Sequence, residues 1–112
     1  FDVFRGQRAP FGVNSSIYRD FLHVEDVARG FIQLISSEAD GCFNISSGAP
    51  TRISDLVRLI ASTCNADPMP VLQQQICQHS GPDLLVGANN KLTACGWSPK
   101  YCLDDIARWY KA

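Results

Sequence analysis

Arg19-Asp20-Phe21-Leu22-His23-Val24-Glu25-Asp26-Val27-Ala28 changes its hydrophobic period half way along. Up to Leu22 the chain, from Ile17, reads as extended. From Val24 the apolar positions Val24, Val27, Ala28, Phe31 and Ile35 fall at i, i+3, i+4, i+7 and i+11, one face of a helix over about Val24 to Ser36. Glu25 and Asp26 occupy the first turn, where the helix dipole favours negative charge. An extended segment handed straight to an amphipathic helix points to a mixed α/β chain.

Two further helices are expected downstream. The first covers residues 53–64, with Ile53, Leu56, Val57, Ile60, Ala61 and Cys64 on one face and Thr51 as N-cap. The second covers residues 103–111, with Leu103, Ile106, Ala107 and Tyr110 on its buried face, Asp104 and Asp105 early and Lys111 late. A shorter helical turn is expected at residues 90–94, ending before Gly96. Strand candidates are short. Residues 42–45 lie between the turn signals Asp40-Gly41 and Ser47-Gly48-Ala49-Pro50. Residues 69–72 read as extended, with Pro70 confining them to an edge. Residues 83–86 read as a short strand or an extended loop. The expected class is α/β, a mixed α+β fragment of short strands and three to four helices. Its strands read as additions to a sheet located elsewhere.

The bulk properties narrow the function classes. With 112 residues and 46% hydrophobic content the chain is a single globular unit or a piece of a larger one. So short a chain holds a core, but a deep cofactor cleft would leave little of it. Net charge is −1 with no block of Lys or Arg, so no nucleic-acid footprint is expected. A small anion needs only one or two placed arginines. The five cysteines, Cys42, Cys64, Cys77, Cys95 and Cys102, form no C-x-x-C pair, which removes zinc-ribbon and thioredoxin-like motifs. They read as free thiols of a cytoplasmic protein. No apolar run reaches the roughly 18 residues of a membrane span. The opening Phe1-Asp2-Val3-Phe4 reads as ordinary folded sequence, and further residues are expected upstream.

The opening segment resembles the R-D-F-[IVL]-[HY]-V-x-D-V-A stretch of the extended short-chain dehydrogenases/reductases, the NAD-dependent sugar-nucleotide epimerase/dehydratase family. Gly41-Cys42-Phe43-Asn44-Ile45-Ser46-Ser47-Gly48 resembles that family's G-x-[YF]-N-[IV]-G-S-G, with Ser46 where the family has glycine. Asn90-Lys91-Leu92 and then Gly96-Trp97-Ser98-Pro99-Lys100 are similar to its S-K-[AL]…G-W-x-P-x. Three motifs in this order cover the chain from about Gly6 onward. Two family features are absent from the sequence. The glycines stand at 6, 12, 30, 41, 48, 81, 87 and 96 and form no G-x-x-G-x-x-G dinucleotide fingerprint. Tyr18, Tyr101 and Tyr110 each lack a lysine four residues later, so the catalytic Tyr-x-x-x-Lys pair is missing.

The resemblance implies a single C-terminal substrate-binding lobe over residues 1–112, without the Rossmann core or its dinucleotide-binding domain. No cofactor is expected in this chain, and NAD or NADP in the parent family. It implies a nucleotide-sugar ligand, no catalytic residue, and self-association or docking on a Rossmann domain. Arg19 matches the arginine that contacts the ligand's diphosphate, a fork facing two phosphates; the competing reading is a salt bridge to Asp20 or Asp26. Ala9, Pro10 and Phe11 match the segment lining the nucleotide base, or serve as core. Where relatives place a second phosphate-binding arginine, Gln78 or His79 stands, and Asp83 takes the position of a ribose-binding carboxylate. Asp20, His23, Asp26, Asn44, Ser46, Ser47 and Trp97 are expected to be structural. The alternative is a free-standing module, descended from such a lobe, that binds or self-associates without catalysis, which the missing second arginine favours.

Overall fold

The computed structural model describes residues 13–74 and 81–111. Among these it contains three strands and five helices, in the order β1 (Tyr18–Asp20), α1 (Val24–Ser36), β2 (Pro50–Arg52), α2 (Ile53–Thr63), α3 (Met69–Leu72), β3 (Leu84–Leu85), α4 (Asn90–Ala94) and α5 (Leu103–Lys111). The class is therefore the mixed α/β one expected. β1 is the central strand, antiparallel to β2 and parallel to β3. Tyr18 pairs with Arg52 and Leu84, and Arg19 with Thr51 and Leu85. The core is small: Ala61 of α2, Val71 and Leu72 of α3, Leu92 of α4, Trp97 and Ala107 of α5. It lies where α2 meets α5 and α3.

Helix α1 starts at the residue expected, capped by an unusual group. The Nδ1 atom of His23 accepts the backbone N–H of Glu25 at 3.1 Å, filling one of the donors a helix start leaves unpaired. The imidazole is buried and stacks on Tyr101 at 4.4 Å between centroids. His23 is thus structural, as expected.

Asp26 fastens the C-terminal segment to α1. Its side chain is fully buried. Its carboxylate accepts the backbone N–H groups of Lys100 and Tyr101, each at 3.0 Å, and pairs with Arg29. Its own carbonyl accepts the indole N–H of Trp97 at 3.1 Å. On the same side of α1, Gly30 admits Ile45: a Cβ there would stand 2.9 Å from the Ile45 Cγ2 atom.

Several local expectations are corrected. Residues 42–45 form no strand. They are tied to residues 88–91 through side chains, Asn44 Nδ2 to the Ala88 carbonyl and Lys91 Nζ to the Cys42 carbonyl, instead of through a backbone ladder. Residues 69–72 are the helical turn α3, because Pro68 and Pro70 occupy cap and first-turn positions that have no need of an N–H donor. Thr51 is not an N-cap; it belongs to β2, and Arg52 precedes α2 without a capping side chain. Tyr110 is not buried: burial in α5 centres on Ala107, and Tyr110 is exposed. The apolar stripe of α1 faces outward, with Val24, Phe31 and Ile35 exposed by 53%, 57% and 83%.

Candidate functional site

Arg19 sits in the middle of β1, one residue before the Asp20 that anchors the neighbouring loops. Its Nη1 atom donates to the carbonyls of Tyr18 at 2.8 Å and Pro82 at 3.0 Å. Neither Asp20 nor Asp26 receives it, so the salt-bridge alternative does not form. Among the described residues, Nε and Nη2 of Arg19 have no hydrogen-bond partner. A planar fork with one corner clamped has lost part of its side-chain freedom before any ligand arrives, and its remaining N–H groups suit paired anionic oxygens.

The loop at Gly81, Pro82 and Asp83 borders this guanidinium. A Cβ built on Gly81 would lie 3.7 Å from Nη2 of Arg19. The Tyr18 N–H donates to the Asp83 carbonyl at 2.7 Å, which extends the β1–β3 pairing by one step. Asp83 is thereby joined to Tyr18, the residue before Arg19. Ala9, Phe11, Gln78 and His79, the other residues singled out, lie outside the described residues.

Asp20 holds the floor of this region. Its carboxylate accepts the Ser47 N–H at 2.8 Å, the Ser47 hydroxyl at 2.6 Å, the Gly48 N–H at 3.0 Å and the Gly87 N–H at 3.1 Å. Burial, the largest single influence, raises the pKa of this carboxyl, but the hydrogen bonds from Ser47, Gly48 and Gly87 together outweigh it and hold the group below its usual value. The loops at 46–48 and 87–89 are joined again where Asn89 Nδ2 donates to the Ser46 carbonyl at 2.9 Å. Gly87 is required there, since a Cβ would fall 2.4 Å from both Cβ and Oγ of Ser46. The Ser46 hydroxyl is buried and has no hydrogen-bond partner.

That Asp20 is a hub is not legible in any local pattern, because its partners come from two distant loops. Arg52 is a second arginine beside β1, but it pairs with Tyr18 in the register and its guanidinium meets the Tyr18 hydroxyl at 2.8 Å. Strand alternation places it on the face opposite Arg19, so it does not replace the missing second arginine. No cluster of metal-ligating side chains occurs among the described residues, and no helix there is long and apolar enough to cross a membrane. The β1–α1 link, residues 21–23, holds no glycine, and the N–H of Glu25 at the start of α1 is already taken by His23.

In sequence and in fold the chain is similar to part of extended short-chain dehydrogenases/reductases, among them a sugar-nucleotide epimerase and a reductase. It is 29% identical over 101 residues to dTDP-L-rhamnose 4-epimerase of Burkholderia thailandensis, covering 85% of this chain and 26% of that enzyme. It is 27% identical over 94 residues to GDP-6-deoxy-D-mannose reductase of Pseudomonas aeruginosa, covering 82% of this chain and 31% of that enzyme. Among solved structures, RMD from Pseudomonas aeruginosa complexed with NADPH matches with a TM-score of 0.74 at 26% identity, over 86% of this chain and 32% of that one. WbmF from Bordetella bronchiseptica, in complex with NAD+ and UDP, matches with a TM-score of 0.73 at 28% identity, over 96% of this chain and 31% of that one. The chain thus spans about a third or less of the length of these relatives. No family model matches it.

Proposed function

We propose that this chain is the C-terminal, nucleotide-sugar-binding lobe of an NAD(P)-dependent sugar-nucleotide epimerase, dehydratase or reductase, working in a reducing, cytoplasmic setting. The observation that carries the reading is Arg19, whose guanidinium is fixed by the Pro82 carbonyl while Nε and Nη2 keep their donors. In this role those donors grip oxygens of the diphosphate. Asp83, held beside Arg19 through its backbone, supplies a carboxylate for the ribose hydroxyls, with His79 near the second phosphate and Ala9 and Phe11 against the base. Asp20 keeps the two supporting loops under the strand. The site for the NAD(P) hydride carrier and the acid/base pair would be supplied by residues beyond this chain. The free thiols of Cys42, Cys64, Cys95 and Cys102 support the reducing setting.

The test is calorimetric titration of the 112-residue chain with UDP, GDP and NADPH. One of the nucleoside diphosphates is expected to bind with Kd below about 1 mM, roughly −4 kcal/mol, and NADPH is expected to show no binding near 1 μM, about −8 kcal/mol. Absence of any diphosphate binding at several-fold higher concentration would falsify the reading. The alternative, a free-standing module that self-associates without a nucleotide ligand, draws on the outward apolar face of α1.

A further inference from the structure

Arg19 shares its face of the sheet with a second polar side chain, that of Thr51. The strand register fixes this. The Ile53 N–H donates to the Ile17 carbonyl at 3.0 Å, so these two residues form a hydrogen-bonded pair. Hydrogen-bonded and non-hydrogen-bonded pairs alternate along an antiparallel ladder. Tyr18 and Arg52 are therefore a non-hydrogen-bonded pair, and Arg19 and Thr51 a hydrogen-bonded one. Side chains directly opposite each other stand on one face, here with Cα atoms about 5.5 Å apart. On the other flank of Arg19, about 4.8 Å away at one strand spacing, stands Leu85 of β3. The row across the sheet runs hydroxyl, guanidinium, apolar side chain.

Thr51 is held before any ligand arrives. Pro50 precedes it at a non-hydrogen-bonded position opposite Asp20, where a missing N–H takes nothing from the ladder. Further back, the Gly48 N–H is bound to the Asp20 carboxylate. Arg52 follows, and on the opposite face its guanidinium meets the Tyr18 hydroxyl at 2.8 and 3.1 Å. The Thr51 hydroxyl itself is uncommitted: the residue is half-buried and its side chain makes no hydrogen bond among the described residues. The other two threonines, Thr63 and Thr93, both donate to carbonyls of their own helices.

The Arg19 guanidinium lies toward β3, where the Pro82 carbonyl holds Nη1 and Gly81 borders Nη2. Donors for an anion thus stand on two sides of β1, the guanidinium toward β3 and the hydroxyl on β2. A ligand with two linked phosphates can engage both. We propose that Thr51 is a second ligand-contacting residue of this site, its hydroxyl donating to the phosphate that Arg19 does not grip. This rests on the reading of Arg19 as a diphosphate grip. It gives the second phosphate a neutral donor where the second arginine is missing. It also runs the diphosphate toward β2, away from Asp83 beside β3.

The experiment titrates UDP and UMP, and GDP and GMP, into the 112-residue chain as wild type, Thr51→Val and Thr51→Ser, with circular dichroism and a melting temperature for each. Valine keeps the β-branched shape that suits a strand and lacks the hydroxyl. Thr51→Val is expected to weaken the diphosphate of the preferred base by about 10-fold, the scale of a hydrogen bond to a charged group, and to leave the monophosphate nearly unchanged. Thr51→Ser, which keeps a hydroxyl, should recover most of the diphosphate affinity. Equal diphosphate affinity of wild type and Thr51→Val overturns the assignment of Thr51 and leaves that of Arg19 standing. An equal loss for monophosphate and diphosphate, or unfolding of Thr51→Val, makes Thr51 part of the scaffold and overturns its assignment as well. A wild type that binds neither diphosphate ends both.

Discussion

The indole N–H of Trp97 donates to the backbone carbonyl of Asp26, 71 residues earlier in the chain, at 3.1 Å. The Asp26 carboxylate accepts the backbone N–H groups of Lys100 and Tyr101 in the same segment. One buried acidic residue therefore binds the start of α1 to the approach of α5. Asp26→Ala would leave the Lys100 and Tyr101 N–H groups without their acceptor and the Arg29 guanidinium with the Ser98 carbonyl alone. The expected loss is about 1–3 kcal/mol, that of leaving buried donors without a partner, read from urea unfolding by circular dichroism. A loss within about 0.5 kcal/mol, typical of a surface change, would contradict this role.

His23 caps α1 only while Nδ1 is an acceptor. His23→Ala should cost about 1 kcal/mol, with added loss of packing on Tyr101, and His23→Asn should restore the cap but not the ring contact. If the alanine and asparagine variants unfold at the same urea concentration, the capping bond contributes nothing.

Asp20 and Asp105 set an acid limit. Hydrogen bonds hold the Asp20 carboxyl below its ordinary value despite the opposing effect of burial. The Cys102 N–H, the Arg108 guanidinium and the Cys102 thiol bring Asp105 to about 2. A depressed carboxylate contributes stability above its unfolded pKa, near 3.9, and that stability is lost as pH falls through the folded value. The unfolding midpoint should therefore fall between about pH 5 and pH 2. Asp20→Asn should be less stable at pH 5 and flatter over the same window. An unchanged slope would mean that Asp20 does not titrate on folding.

Ser46 and Gly87 are coupled by contact. Gly87→Ala forces a Cβ to within 2.4 Å of Ser46, and overpacking of this kind costs about 1–3 kcal/mol. Ser46→Gly removes a buried hydroxyl that has no partner and opens space for the new methyl. In the Ser46→Gly background the Gly87→Ala cost should shrink by at least about 0.5 kcal/mol, the coupling of touching residues. Additive effects in the double-mutant cycle would show that the backbone, and not the Ser46 side chain, sets the requirement for glycine.

The helices were legible because their signal is local. The period of residues 24–36 and 103–111 and the early acidic residues place α1 and α5 at the expected bounds. What the period does not encode is which side of a helix meets the chain: in α1 the stripe at Val24, Phe31 and Ile35 points outward and the buried position belongs to Asp26. Residues 42–45 carry strand-like composition, yet they are held by the Asn44 side chain, which donates to the Ala88 carbonyl, and by Lys91, which donates to the Cys42 carbonyl, a long-range matter. Of the site, Arg19 is visible through its motif, and the bond of the preceding Tyr18 to Asp83 follows from the parallel pairing of β1 with β3, which no short pattern reveals.

The assignment of Arg19 as the diphosphate grip is tested most directly by titrating UDP and GDP into wild type, Arg19→Ala and Arg19→Lys, with circular dichroism of each. The account predicts that Arg19→Ala weakens the bound nucleotide by about 1.5–3 kcal/mol, the worth of a charged hydrogen bond. Arg19→Lys should recover only part of this, because lysine offers a point charge without the fork, and all three proteins should keep the same helical spectrum. Equal affinity of wild type and Arg19→Ala would contradict the assignment. Unfolding of Arg19→Ala would make its bond to Pro82 a scaffold contact instead.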